Sequence, residues 1–438
     1  MTETIRPRLV VLGTGYLGAT HAACMADVGF DVLGLDVDPN KIELLNSGQV
    51  PFYEPGLPEV LERNLAAGRL RFTTSYDEVG AFGDVFFVCV GTPQKPGEYA
   101  ADMTYIDDCI AQLVPHLRPG VLVVGKSTVP AGTARRLQPM ITATGARLAW
   151  NPEFLREGFA VKDTLHPDRL VIGVDDAADE ATLREVYAPL LAEGVPMVVT
   201  DFATAELVKV SANAFLATKI SFINAMAEVC EATGGDVTQL SKALSYDTRI
   251  GGRFLHAGLG FGGGCLPKDI RAFMARAGEL GVDQALSFLR EVDAINLRRR
   301  SRVVDLGREL LEGSFAGARV AVLGAAFKPE SDDIRDSPAL AVAQKLHEFG
   351  AMVTVTDPQA LDNARKQHPE LDYVDDPIAA VQDADLLLHL TEWPQYSYID
   401  PHRLAARAST PRVIDGRGTL NADTWRKAGW TVRALGRP

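Results

Sequence analysis

Long apolar runs are missing from this chain of 438 residues. No stretch is long enough to cross a bilayer as a helix, and the opening TETIRPR lacks the apolar core of a secretory signal. Cysteine is scarce, with five in all, at Cys24, Cys89, Cys109, Cys230 and Cys265, and no CxxC pair among them. That spacing indicates neither a zinc site nor a disulfide scaffold, so no metal is expected. Positive charge is in deficit: 44 basic residues stand against 57 acidic ones, a formal net charge of −13. The imbalance disfavours non-specific binding to nucleic acid or an anionic membrane. The expectation is a soluble, cytoplasmic protein without either partner. The length exceeds one ordinary core, so two or three domains are expected.

What is present is concentrated in GLGFGGGCLPKD, Gly258 to Asp269. Glycines permit close backbone approach, and such a loop presents Cys265 to a ligand instead of burying it. Pro267 suits the first turn of a following helix, and a thiol at a helix N-terminus has its thiolate form favoured. Asp269 lies one helical turn on and can face the same pocket. The plain alternative for a lone cysteine is an inert thiol beside a glycine turn. The local composition favours a nucleophile.

Near the start, RLVVLGTGYLG places Gly13, Gly15 and Gly18 between a strand at Leu9–Leu12 and a helix running to about Val28. A second strand delivers Asp36 at its end. This is the dinucleotide fingerprint in its strand–turn–helix–strand setting. Gly13 makes the turn, Gly15 admits the pyrophosphate, and Gly18 lets helix and sheet pack. Asp36 is placed to accept the adenosine ribose hydroxyls, and its charge favours NAD over NADP. Further strands end in GTP, Gly91 to Pro93, and in GKST, at the binding edge of a doubly wound sheet. Thr128 there either contacts water or substrate, or caps the helix after Pro130. In NPEFLREG, Glu153 and Glu157 are four apart. They are either paired carboxylates on one face or a solvated helix start.

From Thr204 to about Val237 the pattern is continuously helical. Lys209 and Asn213 lie one turn apart and can stabilise a developing oxyanion. The plain alternative is a surface lysine and an ordinary asparagine. A second long helix is expected over Val282 to Leu311, forming much of a homodimer core. A second α/β unit begins at GSFAGARVAVLG, with its last strand at PRVIDGRG. The expected architecture is α/β: two Rossmann-like three-layer domains, 1–201 and 313–438, joined by a central helical domain, 202–312, with the cysteine loop and a long helix.

These pieces together resemble the nucleotide-sugar 6-dehydrogenases of the UDP-glucose/GDP-mannose dehydrogenase family. The resemblance rests on GTGYLG, PFYEPGL, GKSTVP, NPEFLREG, KVSANAF, GFGGGCLPKD, AFKPESDDIRDSP, TEWP and IDGRG, in the family's order over essentially the whole chain. It implies a four-electron oxidation of an alcohol to a carboxylate with two NAD per sugar. UDP-glucose is the implied substrate, with GDP-mannose the alternative, and a homodimer the implied assembly. By the same resemblance Cys265 is the nucleophile, and Asp269 positions water or accepts protons. Lys209 and Asn213 stabilise anionic oxygen, and Thr128 and Glu153 are the water-positioning and acid–base partners. Beside the glycines and Asp36, the cofactor is assigned Tyr16, Leu17, Lys41, Thr92, Thr128, Glu157, Lys268 and Arg335. The nucleotide sugar is assigned Glu153, Phe154, Leu155, Lys209 and Asn213, then Arg249, Phe261, Gly262, Lys328 and Arg417. Three departures accompany the match: Leu17 where valine is frequent, Gly264 where serine is frequent, and Gly418 where asparagine often follows IDGR.

Overall fold

A computed structural model describes residues 6–437. They form two compact units, one reaching Ala212 and including Arg271–Leu280, the other comprising Asn213–Ile270 and the chain from Gly281 onward. Residues 202–312, expected as a separate helical segment, are shared between the two.

The first unit holds an eight-stranded sheet. Its strands are β1 (Leu9–Leu12), β2 (Val32–Leu35), β3 (Leu70–Thr73), β4 (Val85–Val88), β5 (Leu122–Gly125), β6 (Arg147–Trp150), β7 (Leu170–Gly173) and β8 (Met197–Thr200). The order is β3-β2-β1-β4-β5-β6-β7-β8. Every residue of β1, β2, β4 and β5 is buried. These strands read as continuous Val/Leu/Phe runs because a parallel sheet is covered on both faces. Direction reverses once, where Trp150 pairs with Gly173 across β6 and β7.

The second unit has a six-stranded, wholly parallel sheet of β9 (Arg319–Leu323), β10 (Met352–Thr356), β11 (Asp372–Tyr373), β12 (Leu386–His389), β13 (Arg412–Asp415) and β14 (Thr431–Ala434). Its order, β11-β10-β9-β12-β13-β14, repeats that of the first six strands of the other sheet. The chain thus contains two α/β sheets with long helices between them in sequence. The longest of these is Phe202–Thr233, with 32 residues. Among the described residues no helix is long and apolar enough to cross a membrane, and no cluster of three or more His, Cys, Asp or Glu could hold a metal.

Three expectations need correction. The strand at PRVIDGRG is not the last, because Thr431–Ala434 pairs beyond it. That edge strand alternates exposed and half-buried residues, so it offers no apolar run to read. The helix expected from Val282 begins at Phe288, after a short 3₁₀ turn at Asp283–Leu286. Gly281 is left-handed at φ 73, and Val282 lies at φ −121, ψ 29, so the helix cannot extend backward. NPEFLREG is an irregular loop, and its helix begins only at Ala160. The i,i+4 argument for Glu153 and Glu157 therefore does not apply. The Glu153 carboxylate instead accepts from its own Phe154 and Leu155 N–H groups, at 2.7 and 3.2 Å, an arrangement that competes with helix formation.

Candidate active site

The glycine turn of the first unit is built by exclusion. Gly13 lies at φ 85, and a Cβ on Gly18 would stand 1.7 Å from the Gly13 carbonyl oxygen. A Cβ on Gly15 meets nothing within 4 Å. Gly15 is the N-cap of helix Tyr16–Val28, and no side chain caps that terminus. The helix N-terminus therefore carries no side-chain cap and begins at a residue with open space where a side chain would stand, which fits a pyrophosphate. Asp36, at the end of β2, is 7% exposed. Its Oδ2 accepts from Thr14 N (2.8 Å), Thr14 Oγ1 (3.0 Å) and Lys41 Nζ (2.9 Å), and its Oδ1 from Asp38 N (3.2 Å). Burial raises its pKa, but these donors outweigh it and hold the carboxyl below the usual range. Oδ1 keeps acceptor capacity for a hydroxyl pair.

The second sheet supplies a control. Asp357 follows β10 as Asp36 follows β2. Its Oδ2 accepts from Ala325 N, Ala326 N and Trp393 Nε1 at 2.7–3.0 Å, and its Oδ1 from Gln359 N and Ala360 N at 2.9 Å. Trp393, 2% exposed, seals that carboxylate. Of these two carboxylates, Asp357 has two backbone N–H donors on Oδ1, whereas Asp36 Oδ1 has one.

Tyr16 joins the turn to the NPEFLREG loop. Its hydroxyl donates to Glu54 Oε2 and accepts from Gly158 N at 2.9 Å. Glu54, 2% exposed, also accepts from Gly158 N (2.6 Å) and Ala160 N (2.7 Å). The PFYEPGL motif thus fastens the segment after Glu157 to the cofactor turn. On that loop, Phe154 lies under two cations, with Arg169 at 4.1 Å and Lys209 at 5.5 Å from its ring centre. Thr92 Oγ1 donates to the Thr128 carbonyl at 2.7 Å, tying the GTP loop to GKSTVP. Thr128 does not cap the next helix. That helix starts at Thr133 with Gly132 at the cap, and buried Glu206 accepts from Gly132 N and Ala134 N at 2.7 Å. Glu206 and Glu54 are sequence-silent as isolated glutamates, although Glu54 sits inside a quoted motif.

In the second unit, Cys265 is exposed and stands immediately before helix Leu266–Glu279. Its carbonyl accepts the first i→i+4 bond, from Asp269 N at 2.9 Å. Asp269 is 2% exposed. Its two oxygens are held by Asn213 Nδ2 and Lys268 Nζ, each at 2.6 Å. Asn213 and Lys209 lie one turn apart on helix Phe202–Thr233. The cysteine loop is braced through its backbone. Asn296, fully buried, accepts from Phe261 N (2.7 Å) and donates to Phe261 O (2.9 Å), and Asn224 accepts from Gly258 N (2.8 Å). A Cβ on Gly264 would lie 2.2 Å from the Arg335 guanidinium carbon, so the departure from serine leaves Arg335 lying close over the loop. Gly262 packs with its ideal Cβ position 2.3 Å from the Asp336 carbonyl.

Arg417 adds to this brace, donating to Leu390 O (2.7 Å), Gly260 O (2.9 Å) and Phe327 O (3.2 Å), with its Nε also 3.1 Å from Glu392 Oε2. Lys328 follows Phe327, with its ammonium 5.6 Å from that ring centre. Arg249 is 87% exposed and paired with Asp247. Asn296 and Asp357 went unread in the sequence because a buried polar residue inside an apolar pattern carries no local signature.

A glycine turn that fits a dinucleotide in one unit, and an exposed thiol ahead of a helix in the other, mark the class of NAD-linked dehydrogenases. Three domain profiles of one family match along the chain: the NAD binding domain at residues 7–191, the central domain at 203–298 and the UDP binding domain at 321–422. The chain belongs to the UDP-glucose/GDP-mannose dehydrogenase family and is an NAD-dependent oxidoreductase of nucleotide-sugar metabolism. It is 40% identical to UDP-glucose 6-dehydrogenase of Rhizobium meliloti, over 98% of this chain and 100% of that protein. Its fold matches a UDP-glucose dehydrogenase from the archaeon Pyrobaculum islandicum with a TM-score of 0.91 and 37% identity, over 100% of this chain and 99% of the other. A GDP-mannose dehydrogenase from Pseudomonas aeruginosa matches with a TM-score of 0.53 and 28% identity, over 98% and 99% of the two chains.

Proposed function

We propose that the protein oxidises UDP-glucose at C6 to UDP-glucuronate, in two successive oxidations with the sugar held on Cys265 between them. The observation that carries this reading is the exposed Cys265 ahead of a helix, with buried Asp269 one turn on, gripped by Asn213 and Lys268. NAD, bound in the first unit, supplies the acceptor for each of two hydrides. The protein's own groups do the rest. The Cys265 thiolate adds to the C6 aldehyde and gives a thiohemiacetal, which keeps the half-oxidised carbon on the protein. Lys209 and Asn213 stabilise the oxygen that becomes anionic when sulfur, and later water, adds. Once C6 is at the thioester level, water attacks it, guided by Thr128 and Glu153, and the carbon–sulfur bond breaks to return the thiolate. UDP-glucose is favoured over GDP-mannose by the relatives' names and by the TM-score of 0.91 to a UDP-glucose dehydrogenase against 0.53 to a GDP-mannose dehydrogenase. Offering both sugars at equal concentration tests this. Preference for GDP-mannose overturns the substrate and leaves the mechanism standing.

Cofactor choice follows from Asp36. A 2′-phosphate beside this carboxylate faces like-charge repulsion, and NAD should exceed NADP in kcat/KM on the order of 100-fold. Asp36→Ala releases Lys41 from its 2.9 Å ion pair, and the preference should collapse. Equal turnover of NAD and NADP by the unaltered protein would remove Asp36 from its assigned place.

The proposed homodimer contact lies on helix Phe202–Thr233. Helix Phe288–Leu310 commits Val303, Val304 and Leu306 to its own unit's core and leaves only Phe288 and Leu297 exposed among its large apolar side chains. Phe215, Phe222 and Val229 are instead exposed, at 67%, 48% and 52%, and recur every seven residues along one stripe. Phe215→Lys with Phe222→Glu should yield monomers in sedimentation velocity. An unchanged dimer would place the interface elsewhere.

A further inference from the structure

We infer that Lys126 is a positioning residue for the release of the product. Resting on the reading of Glu153 given above, it acts by fixing the carboxylate that serves the attacking water. Lys126 follows β5 directly and is 3% exposed, an uncommon place for a cation. Its Nζ lies 3.1 Å from Glu153 Oε2 and 3.0 Å from Asn151 Oδ1, with the Phe87 ring centre at 5.8 Å. Asn151 is held in turn by the Tyr187 hydroxyl at 2.6 Å, and by its own bond to Val171 O at 2.8 Å. The other Glu153 oxygen accepts from Phe154 N and Leu155 N. Glu153 is therefore gripped at both oxygens, by its own loop on one side and by Lys126 on the other.

The surroundings leave that grip to Lys126. The titratable groups that feel Glu153 or Lys126 come from several elements. Burial pushes the Tyr187 phenol and the Cys89 thiol up to about 12. It also raises Cys24 and drives His21 well down. Each is neutral near pH 7. Arg169 and Lys209 face the neighbouring Phe154 ring. Burial opposes the Lys126 charge, yet the Glu153 carboxylate outweighs it and raises the lysine. The Glu153 side chain is 16% exposed, so without the ammonium its Oε2 turns to water and the carboxylate leaves its place.

The step this controls is hydrolysis of the thioester. A water oxygen bonds to C6, one of its protons passes to the Glu153 carboxylate, and the carbon–sulfur bond breaks with its electron pair on sulfur. A misplaced Glu153 lets the carbon–sulfur bond form but slows its cleavage. The experiment is rapid quenching of protein mixed with UDP-glucose and NAD, with intact-protein mass read over time. Lys126→Met should lower kcat about 100-fold and lower the sugar KM with it, because slowed release lets the covalent species build up, and a sugar-derived adduct should accumulate on Cys265. Lys126→Arg, which restores a cation, should recover most of the rate and diminish the adduct. Slowing without an adduct in Lys126→Met would mark an ordinary structural ion pair and overturn the inference, as would an adduct that Lys126→Arg leaves unchanged. If Lys126→Met gives no folded protein, Asn151→Ser withdraws the second acceptor of Nζ. It must then show a smaller build-up of adduct, and none would overturn the inference. Glu153→Gln separates the two levels of the argument. If it turns over at the normal rate without an adduct, the reading of Glu153 fails, whatever Lys126 does.

Discussion

Replacing Cys265 by alanine should leave NAD binding intact and abolish release of the carboxylate. The Gly13–Gly18 turn and Asp36 belong to the first unit and Cys265 to the second, so the variant's NAD dissociation constant, read by fluorescence titration, should match that of the unaltered protein. Carboxylate formation should fall on the order of 10³-fold or more, the scale expected when a nucleophile that acts throughout a cycle is lost. The first oxidation takes its hydride from C6 and forms no bond to sulfur, so some aldehyde or its hydrate should appear. Cys265→Ser keeps a small hydroxyl, but that oxygen is a poor nucleophile at neutral pH and its ester hydrolyses less readily than a thioester. It should therefore stall one step later and far more slowly than alanine fails. Losing Lys209 or Asn213 should behave differently. Oxyanion stabilisation is needed whenever oxygen charge develops, so these variants should slow both oxidations without halting at one covalent species. Near-normal conversion of alcohol to carboxylate by Cys265→Ala would end the thioester assignment.

The parts of this molecule legible in sequence were those whose function forces a local pattern. A central parallel strand must be apolar on both faces, and Leu9–Leu12 and Val85–Val88 announce themselves. A dinucleotide turn needs glycines at fixed spacing, and a nucleophile before a helix draws glycine and proline around it. Two edge strands did not announce themselves. Leu70–Thr73 and Thr431–Ala434 are half polar, as edges must be to avoid pairing with other chains. NPEFLREG was legible as a site but not in conformation. Its helix-like spacing is overridden by Glu153 bonding to its own backbone, and by Glu54 accepting from Gly158 and Ala160. The braces were the least legible. The Arg417 guanidinium donates to the carbonyls of Leu390, Gly260 and Phe327, a bracing pattern that IDGRG does not spell out. Lys126 lay in plain view within GKSTVP, one place before Ser127. Only the fold shows that the residues after β5 and β6 lie side by side and bring it to Glu153.

The glycine turn allows affinity and stability to be separated, and the expected results at Gly15 and Gly18 are opposite in kind. Gly18→Ala places a Cβ 1.7 Å from the Gly13 carbonyl oxygen, 2.9 Å from its carbon and 3.2 Å from Cys89 Cβ. Alanine gains about 1 kcal/mol of helix propensity over glycine, but the obstacle here is backbone and cannot swing aside. Gly13 is itself pinned, at φ 85 with its N–H bonded to Leu35 O at 2.7 Å. Relief must come from moving the turn, at an overpacking cost of about 1–3 kcal/mol. Unfolding should come several degrees lower and NAD binding should be lost with it. Gly15→Ala meets no protein atom within 4 Å, and Gly15 already has φ −69 and ψ −166, which alanine adopts without strain. That variant should melt with the unaltered protein and still bind NAD at least about tenfold more weakly, because its methyl group enters the space reserved for the pyrophosphate. Thermal melts paired with NAD titration read both quantities on the same samples. If Gly15→Ala binds NAD as tightly as the unaltered protein, the open space beside Gly15 is not where the phosphates lie, and the cofactor assignment of this turn falls.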